Sequence, residues 1–330
     1  MAITLIATGG TIASTRGPDG RVTATRSGAE LLAELPSTGA HVDVVDLAVA
    51  GSWNLSSEQA AELVGTARRA LEDGAEGVVI SHGTDVLEET AWLAELLVRP
   101  YSDRPVVLTA SMRHGSEYGG DGPRNLLDAV RVAGDPTAVG RGALVCVNGE
   151  LHHARWVTKT HATAVHTFES PGHGPVGEVG EAGVRFVAAS PAPPPPDTTT
   201  LAGRVPVISS HWDADPELVG WYLDGRADAL VVEAGGAGNV NRNVADGLLV
   251  ALDRGVPVVV ATRCRRGEVT PIYGGPGGFA TLHAAGAVSS MGLSAGKARL
   301  TLQAAIAASG GPGGDPARIR AGVERLAVLR

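Results

Sequence analysis

Ile3-Thr4-Leu5-Ile6-Ala7-Thr8-Gly9-Gly10-Thr11-Ile12-Ala13-Ser14 carries a short apolar run straight into paired glycines. The run Ile3–Ala7 reads as a buried strand. The glycines after it read as a tight exit that lets backbone amides approach a ligand. Further along, Gly77-Val78-Val79-Ile80-Ser81 repeats the device and leaves through His82-Gly83-Thr84-Asp85 straight into a helix. Strands are also expected at Val42–Leu47, Val106–Thr109 and Ala143–Val147, the last leading into a hairpin. Helices lie between them. One runs from a Ser56/Gln59 capping box to Glu72, one covers Val86–Val98, and one begins near Pro123, a favoured first-turn residue. Strands that alternate with helices predict a parallel sheet with covered faces.

Ser190-Pro191-Ala192-Pro193-Pro194-Pro195-Pro196-Asp197 supports neither a ladder nor a helix interior, and reads as an extended, semi-stiff linker. Strand–helix alternation then resumes, with Val205–Ser209, Pro216–Leu223, Ala229–Val232, Arg242–Asp253 and Val256–Thr262. Helices near Ala298–Ala308 and Pro316–Val328 close the chain. The expected fold class is α/β, with two α/β domains. A larger N-terminal doubly wound, flavodoxin-like sheet spans 1–189, a Pro-rich linker spans 190–204, and a smaller C-terminal parallel α/β sheet spans 205–330. A length of 330 residues suits two domains of about 150 residues each.

The composition narrows the function. A hydrophobic fraction of 44% with 19% charged residues argues against disorder, and a net charge of −8 argues against a nucleic-acid backbone binder. Two cysteines, Cys146 and Cys264, make neither a disulfide framework nor a zinc site and are expected as small core residues. No apolar run approaches the ~20 residues of a membrane helix, and the first residues read as strand instead of signal peptide. A cytoplasmic location is expected.

Neither glycine turn is a dinucleotide or P-loop fingerprint, because the required glycine and lysine positions are missing. Taken alone, each is an ordinary strand exit. A third element changes the weighing: Trp156-Val157-Thr158-Lys159-Thr160 places one of only two lysines, Lys159 and Lys297, between threonines. A threonine hydroxyl attacks an acyl group only when a neighbour takes its proton. Two threonines, an aspartate and a lysine at converging strand ends meet the needs of an acyl-transfer site. His152, His153, His161, His166 and His173 crowd one stretch but show no zinc spacing.

Ala7-Thr8-Gly9-Gly10-Thr11-Ile12-Ala13 and His82-Gly83-Thr84-Asp85-Val86-Leu87-Glu88-Glu89-Thr90-Ala91 together resemble the two signature motifs of bacterial-type L-asparaginases. The likeness continues through Pro105–Arg113, Asp121–Leu126, Val157–Thr160, Gly174–Gly177, Gly236–Asn241 and Lys297–Arg299.

This resemblance implies hydrolysis of the side-chain amide of L-asparagine to aspartate and ammonia, without metal or cofactor. It implies Thr11 as nucleophile, Thr84 and Lys159 as a proton-handling pair, and Asp85 as the seat of the substrate ammonium. Ser52, in Gly51-Ser52-Trp53-Asn54-Leu55, would take the α-carboxylate, and Gly10 and Gly83 lie in the turns whose amides would receive the oxyanion. Trp53, Ser111, Asn239 and Asn241 complete the expected substrate-binding set, and a homotetramer built as a dimer of dimers is implied. The sequence departs from the family in its lid loop, Ser14–Ser27, which lacks the usual tyrosine and has Val22 in its place. Trp53 is expected to narrow the pocket against glutamine. A glutaminase-asparaginase and a non-catalytic amino-acid binding protein stand as the alternatives.

Overall fold

The computed structural model describes residues 2–47, 51–191 and 194–327. The chain divides into two compact units, Met1–Ala192 and Pro193–Arg330. In the first unit β1 (Ala2–Ala7) leads to a hairpin of β2 (Ser14–Arg16) and β3 (Val22–Ala24), then α1 (Gly28–Ala33) and β4 (His41–Asp46). α2 (Ser57–Glu72), β5 (Gly77–Ser81), α3 (Leu87–Leu97), β6 (Val106–Thr109), α4 (Gly122–Ala133) and β7 (Ala143–Val147) follow. Short strands complete the unit: β8 (Glu150–His153), β9 (Thr158–Lys159), β10 (Phe168–Glu169), β11 (Gly177–Gly180) and β12 (Gly183–Phe186).

The main sheet runs β12-β11-β8-β7-β6-β5-β1-β4. Its parallel part, β4-β1-β5-β6-β7, has the flavodoxin-like order, with a topological switch point between β1 and β5. β8, β11 and β12 extend the sheet antiparallel beyond β7, through the hairpin expected there and a second one at Gly180–Gly183. β5 and β7 are buried along their whole length, which explains their unbroken β-branched and apolar sequences.

The helix arrangement carries one exception to a strong rule. Leu31 of α1 and Leu126, Ala129 and Val130 of α4 share one core cluster with Ile3, Leu5, Val79 and Val107. α1 and α4 therefore cover the same face, and α2 and α3, which pack on each other, contribute nothing to that cluster. The step from β1 to β4 runs one way along the sheet and the step from β6 to β7 runs the other. Two steps in opposite directions with helices on one face have opposite hands. β4-α2-β5 and β5-α3-β6, on the other face and in the other direction, share the hand of β1-α1-β4; with right-handed connections in about 98% of cases, β6-α4-β7 is the left-handed one. It brings the start of α4 behind the turn that follows β1: a Cβ on Gly122 would stand 3.0 Å from Ile12 Cγ1.

The second unit holds β13 (Val207–Ser209), α5 (Glu217–Leu223), β14 (Leu230–Ala234), α6 (Arg242–Asp253), β15 (Val258–Thr262), α7 (Phe279–Ala284), β16 (Val288–Ser289), α8 (Ala295–Ala308) and α9 (Pro316–Ala327). Its strands are all parallel and follow chain order, so this sheet has no switch point. Among the described residues of 190–204 no helix or strand forms; Ala192 and Pro193 lie outside the described residues, as does Val328, the expected end of the last helix. Cys146 is buried in β7, and burial pushes its thiol pKa up. Cys264 corrects the expectation made for it. β15 ends at Thr262, the Cys264 amide donates to Thr262 Oγ1 in the turn that follows, and the thiol is exposed.

Candidate active site

Ala7 pairs with Ser81 at the last register position of β1 and β5, so both strands end at the same height. The Thr8 amide and hydroxyl both donate to the Ser81 carbonyl, at 3.1 and 2.9 Å, and tie the two exits together. Gly10 then takes φ 78° and ψ −175°, a conformation essentially restricted to glycine. A Cβ there would stand 2.6 Å from Gly83 N and Cα. The two motif turns thus touch backbone to backbone, and Thr11 opens a short 3-10 turn, Thr11–Ala13, on the far side of that contact.

A third strand exit joins them. Past β4, Ser52 begins a 3-10 turn, Ser52–Asn54, and a Cβ on Gly83 would lie 2.6 Å from Ser52 Oγ. Ser52 is 2% exposed, and among the described residues its hydroxyl has no hydrogen-bond partner. An unpaired buried hydroxyl costs about 1–3 kcal/mol, so the Ser52 donor is available to a ligand.

Lys159 reaches the same place from β9. Its Nζ donates to Thr84 Oγ1 at 2.9 Å and to Asp85 Oδ1 at 2.7 Å. Asp85 is about half exposed and Lys159 mostly enclosed. Glu88, quoted above only as part of the second motif, contributes as well: its Oε2 accepts from Thr158 Oγ1 at 2.6 Å and from the Lys159 amide at 2.7 Å. Its place one helical turn beyond Asp85, at the start of α3, was the available signal.

His82 braces the second turn from behind. Its Nδ1–H donates to the Gly83 carbonyl at 2.8 Å, so Nε2 accepts from Thr90 Oγ1 at 3.2 Å. Burial pushes its pKa down, so the ring stays neutral. Ser111, after β6, is buried and donates to the Arg113 carbonyl at 2.9 Å. Asp121 accepts from the Met112 and Arg113 amides, and Asn125 bonds both Asp121 and the Ala110 carbonyl. This block is the wall behind Ile12.

The remaining expected residues have other surroundings. Trp53 lays its indole over Gly51 and is 70% exposed, so within the described chain it does not enclose the space beside Ser52. Asn239 and Asn241 belong to the second unit and have local partners there. Asn239 Oδ1 accepts from the Phe279 amide, and Asn241 caps α6 through the Asn243 amide. Val22 sits in the lid hairpin opposite Arg16 and is exposed. The hairpin is tied along the length of β2: the Gly115 amide donates to the Ser14 carbonyl at its base and the Arg16 amide to Ser116 Oγ at its turn end.

Two histidines of the crowded stretch have local partners. His152 Nδ1 pairs with Ser170 Oγ at 3.0 Å, and His173 stacks on Trp156 at 4.4 Å. Among the described residues no group of three or more His, Cys, Asp or Glu side chains could hold a metal ion. Burial pushes the His152 pKa down to about 4 from 6.5, with Glu169 opposing weakly. The unfolded chain takes up a proton below about pH 6.5 that the folded one refuses, so this contribution is intact above pH 6.5 and lost as pH falls towards 4. Denaturant titrations of the parent and of His152→Gln at pH 7 and pH 5 should therefore converge by about 2 kcal/mol at the lower pH. A gap that does not change with pH refutes the assignment.

A family model described as asparaginase, N-terminal, matches residues 2–191, and one described as glutaminase/asparaginase C-terminal domain matches 204–321. The probable L-asparaginase of Deinococcus radiodurans is 38% identical over 318 residues, covering 91% of each chain. L-asparaginase 2 of Bacillus subtilis is 34% identical over 285 residues, 82% of this chain and 74% of its own. The crystal structure of a probable cytoplasmic L-asparaginase from Campylobacter jejuni matches with a TM-score of 0.85 at 28% identity, over 98% of this chain and 99% of that one.

Proposed function

The chain belongs to the asparaginase family, and from that premise we propose that it is an L-asparagine amidohydrolase that uses Thr11 as its nucleophile. The observation that carries this reading is the Nζ of Lys159 held between Thr84 and Asp85, on a turn that touches the Thr11 turn through Gly10 and Gly83.

Substrate binding comes first. Ser52 Oγ donates to the α-carboxylate, which gives that buried hydroxyl the partner it lacks among the described residues. Asp85 keeps Oδ2 for the substrate ammonium while Oδ1 faces Lys159, because a carboxylate has about four acceptor sites. The carboxamide then lies over the β1–β5 crevice, where open α/β sheets bind ligands.

Thr11 Oγ attacks the amide carbon while its proton is relayed through the Thr84 hydroxyl to the lone pair of Lys159 Nζ, which takes part as the neutral amine. Backbone amides of the two glycine turns stabilise the oxyanion; losing one such donor in other enzymes costs about 10²–10³ in rate. The proton returns to the departing nitrogen, ammonia leaves, and water cleaves the acyl-enzyme to aspartate. Among the described residues no helix is long and apolar enough to cross a membrane. A cytoplasmic homotetramer is part of the proposal.

The test is acid quenching during turnover followed by peptide mass analysis. A β-aspartyl adduct is expected on the peptide that carries Thr11. The same adduct on the Thr84 peptide would move the nucleophile to the second turn.

A further inference from the structure

We propose that Glu88 is the positioning residue that sets Lys159 in its place, a role that rests on the reading of Lys159 as the proton handler. β9 is two residues long and, among the described residues, pairs only with β10, in a ribbon separate from the eight-stranded sheet. Thr160 ties that ribbon to itself, through its amide to the Thr167 carbonyl and its hydroxyl to Glu169 Oε1. Two ladder residues do little to fix where a strand stands relative to a sheet it does not join. A lysine on such a strand needs a second anchor.

Glu88 is that anchor. One carboxylate oxygen takes the Lys159 amide at 2.7 Å and the hydroxyl of the preceding Thr158 at 2.6 Å. Both are short, charge-assisted bonds, about twice as strong as neutral ones. Glu88 stands in the first turn of α3, where a negative charge is favoured by the helix dipole. Thr84, Asp85 and Glu88 belong to one five-residue stretch, Thr84–Glu88, which therefore grips Lys159 at both ends. Thr84 and Asp85 hold Nζ, and Glu88 holds the backbone. A long side chain with four rotatable bonds delivers a proton repeatably only when its base is fixed, and a misplacement of about 1 Å in such a group costs about 10² in rate.

The bonds of Glu88 to Thr158 and Lys159 act on the proton handler, whereas the proposed substrate seats are Ser52 and Asp85, so substrate affinity and the proton step should respond differently to its loss. Steady-state kinetics on the full-length protein make the test. Glu88→Ala is expected to lower kcat about 10–100-fold while KM for asparagine stays within about twofold. The pH profile of kcat should shift, and Glu88→Gln, which still offers an oxygen to the Lys159 amide, should recover most of the rate. In a Lys159→Met background, Glu88→Ala should cost nothing further, because the two residues act as one unit. Unchanged kcat in Glu88→Ala overturns the clamp, and so does a loss shared by kcat and KM that Glu88→Gln does not recover. Unchanged kcat in Lys159→Met overturns the reading beneath it instead.

Discussion

Thr11→Ala should abolish ammonia release from asparagine, with kcat down by at least about 10⁴-fold and the fold intact. The size follows from the role. Removing the attacking atom of a covalent mechanism leaves only binding and oxyanion stabilisation, and removing a member of a nucleophilic triad elsewhere costs about 10⁴–10⁶. The fold should survive because the Thr11 hydroxyl makes no hydrogen bond among the described residues, so its loss strands no partner. The backbone of the Thr11–Ala13 turn also accepts alanine without strain, since the unusual torsion belongs to Gly10. Asparagine binding, measured by calorimetry, should change by no more than a few-fold, because Ser52 and Asp85 are untouched. Thr11→Ser should keep measurable activity, since it keeps the oxygen. If Thr11→Ala turned over at the parent rate, an acyl-enzyme on Thr11 would be ruled out and the attacking group would be water or Thr84.

The parts of the molecule that were legible in sequence share one physical property. β5, β6 and β7 begin and end where expected because buried parallel strands are continuous β-branched runs, bounded where the chain leaves the core. α6 was read at its true limits, Arg242–Asp253, for the matching reason that its apolar positions recur with helical period until the turn at Arg254–Gly255. α1 was missed although Ser27 and Glu30 form a capping box as complete as the one at Ser56 and Gln59, because its six residues carry too little periodicity. The ribbons around β9–β12 were missed because strands of two to four half-polar residues have no pattern of their own. The ring stacking of Trp156 on His173 and the Lys159–Asp85 pair arise from folding alone. Spacing placed Thr84, Asp85 and Lys159 at strand ends, but nothing in spacing fixes a 2.7 Å approach between residues 74 positions apart.

Gly10→Ala and Gly83→Ala separate the scaffold of the site from its seat for substrate, although the two glycines touch. At Gly10 a methyl group must adopt φ 78° with ψ −175°, which costs about 1–3 kcal/mol in strain. It must also fit 2.6 Å from Gly83 backbone atoms that cannot swing aside, an overpacking cost of about 1–3 kcal/mol. Gly10→Ala should therefore lower unfolding free energy by about 2–6 kcal/mol and remove activity, since any relief pushes the two turns apart and misaims both sets of amides. At Gly83 the torsion is ordinary, and the atoms in the way are Ser52 Oγ at 2.6 Å and Ser52 Cβ at 2.8 Å. The obstruction there is the proposed carboxylate seat itself. Gly83→Ala should be milder in denaturant titration, and its loss of kcat/KM should fall mainly on KM as Ser52 is displaced. A Gly10→Ala protein with parent stability and parent kcat would mean that the two turns are not locked to each other. A Gly83→Ala protein with unchanged KM would release Ser52 from the binding role assigned to it.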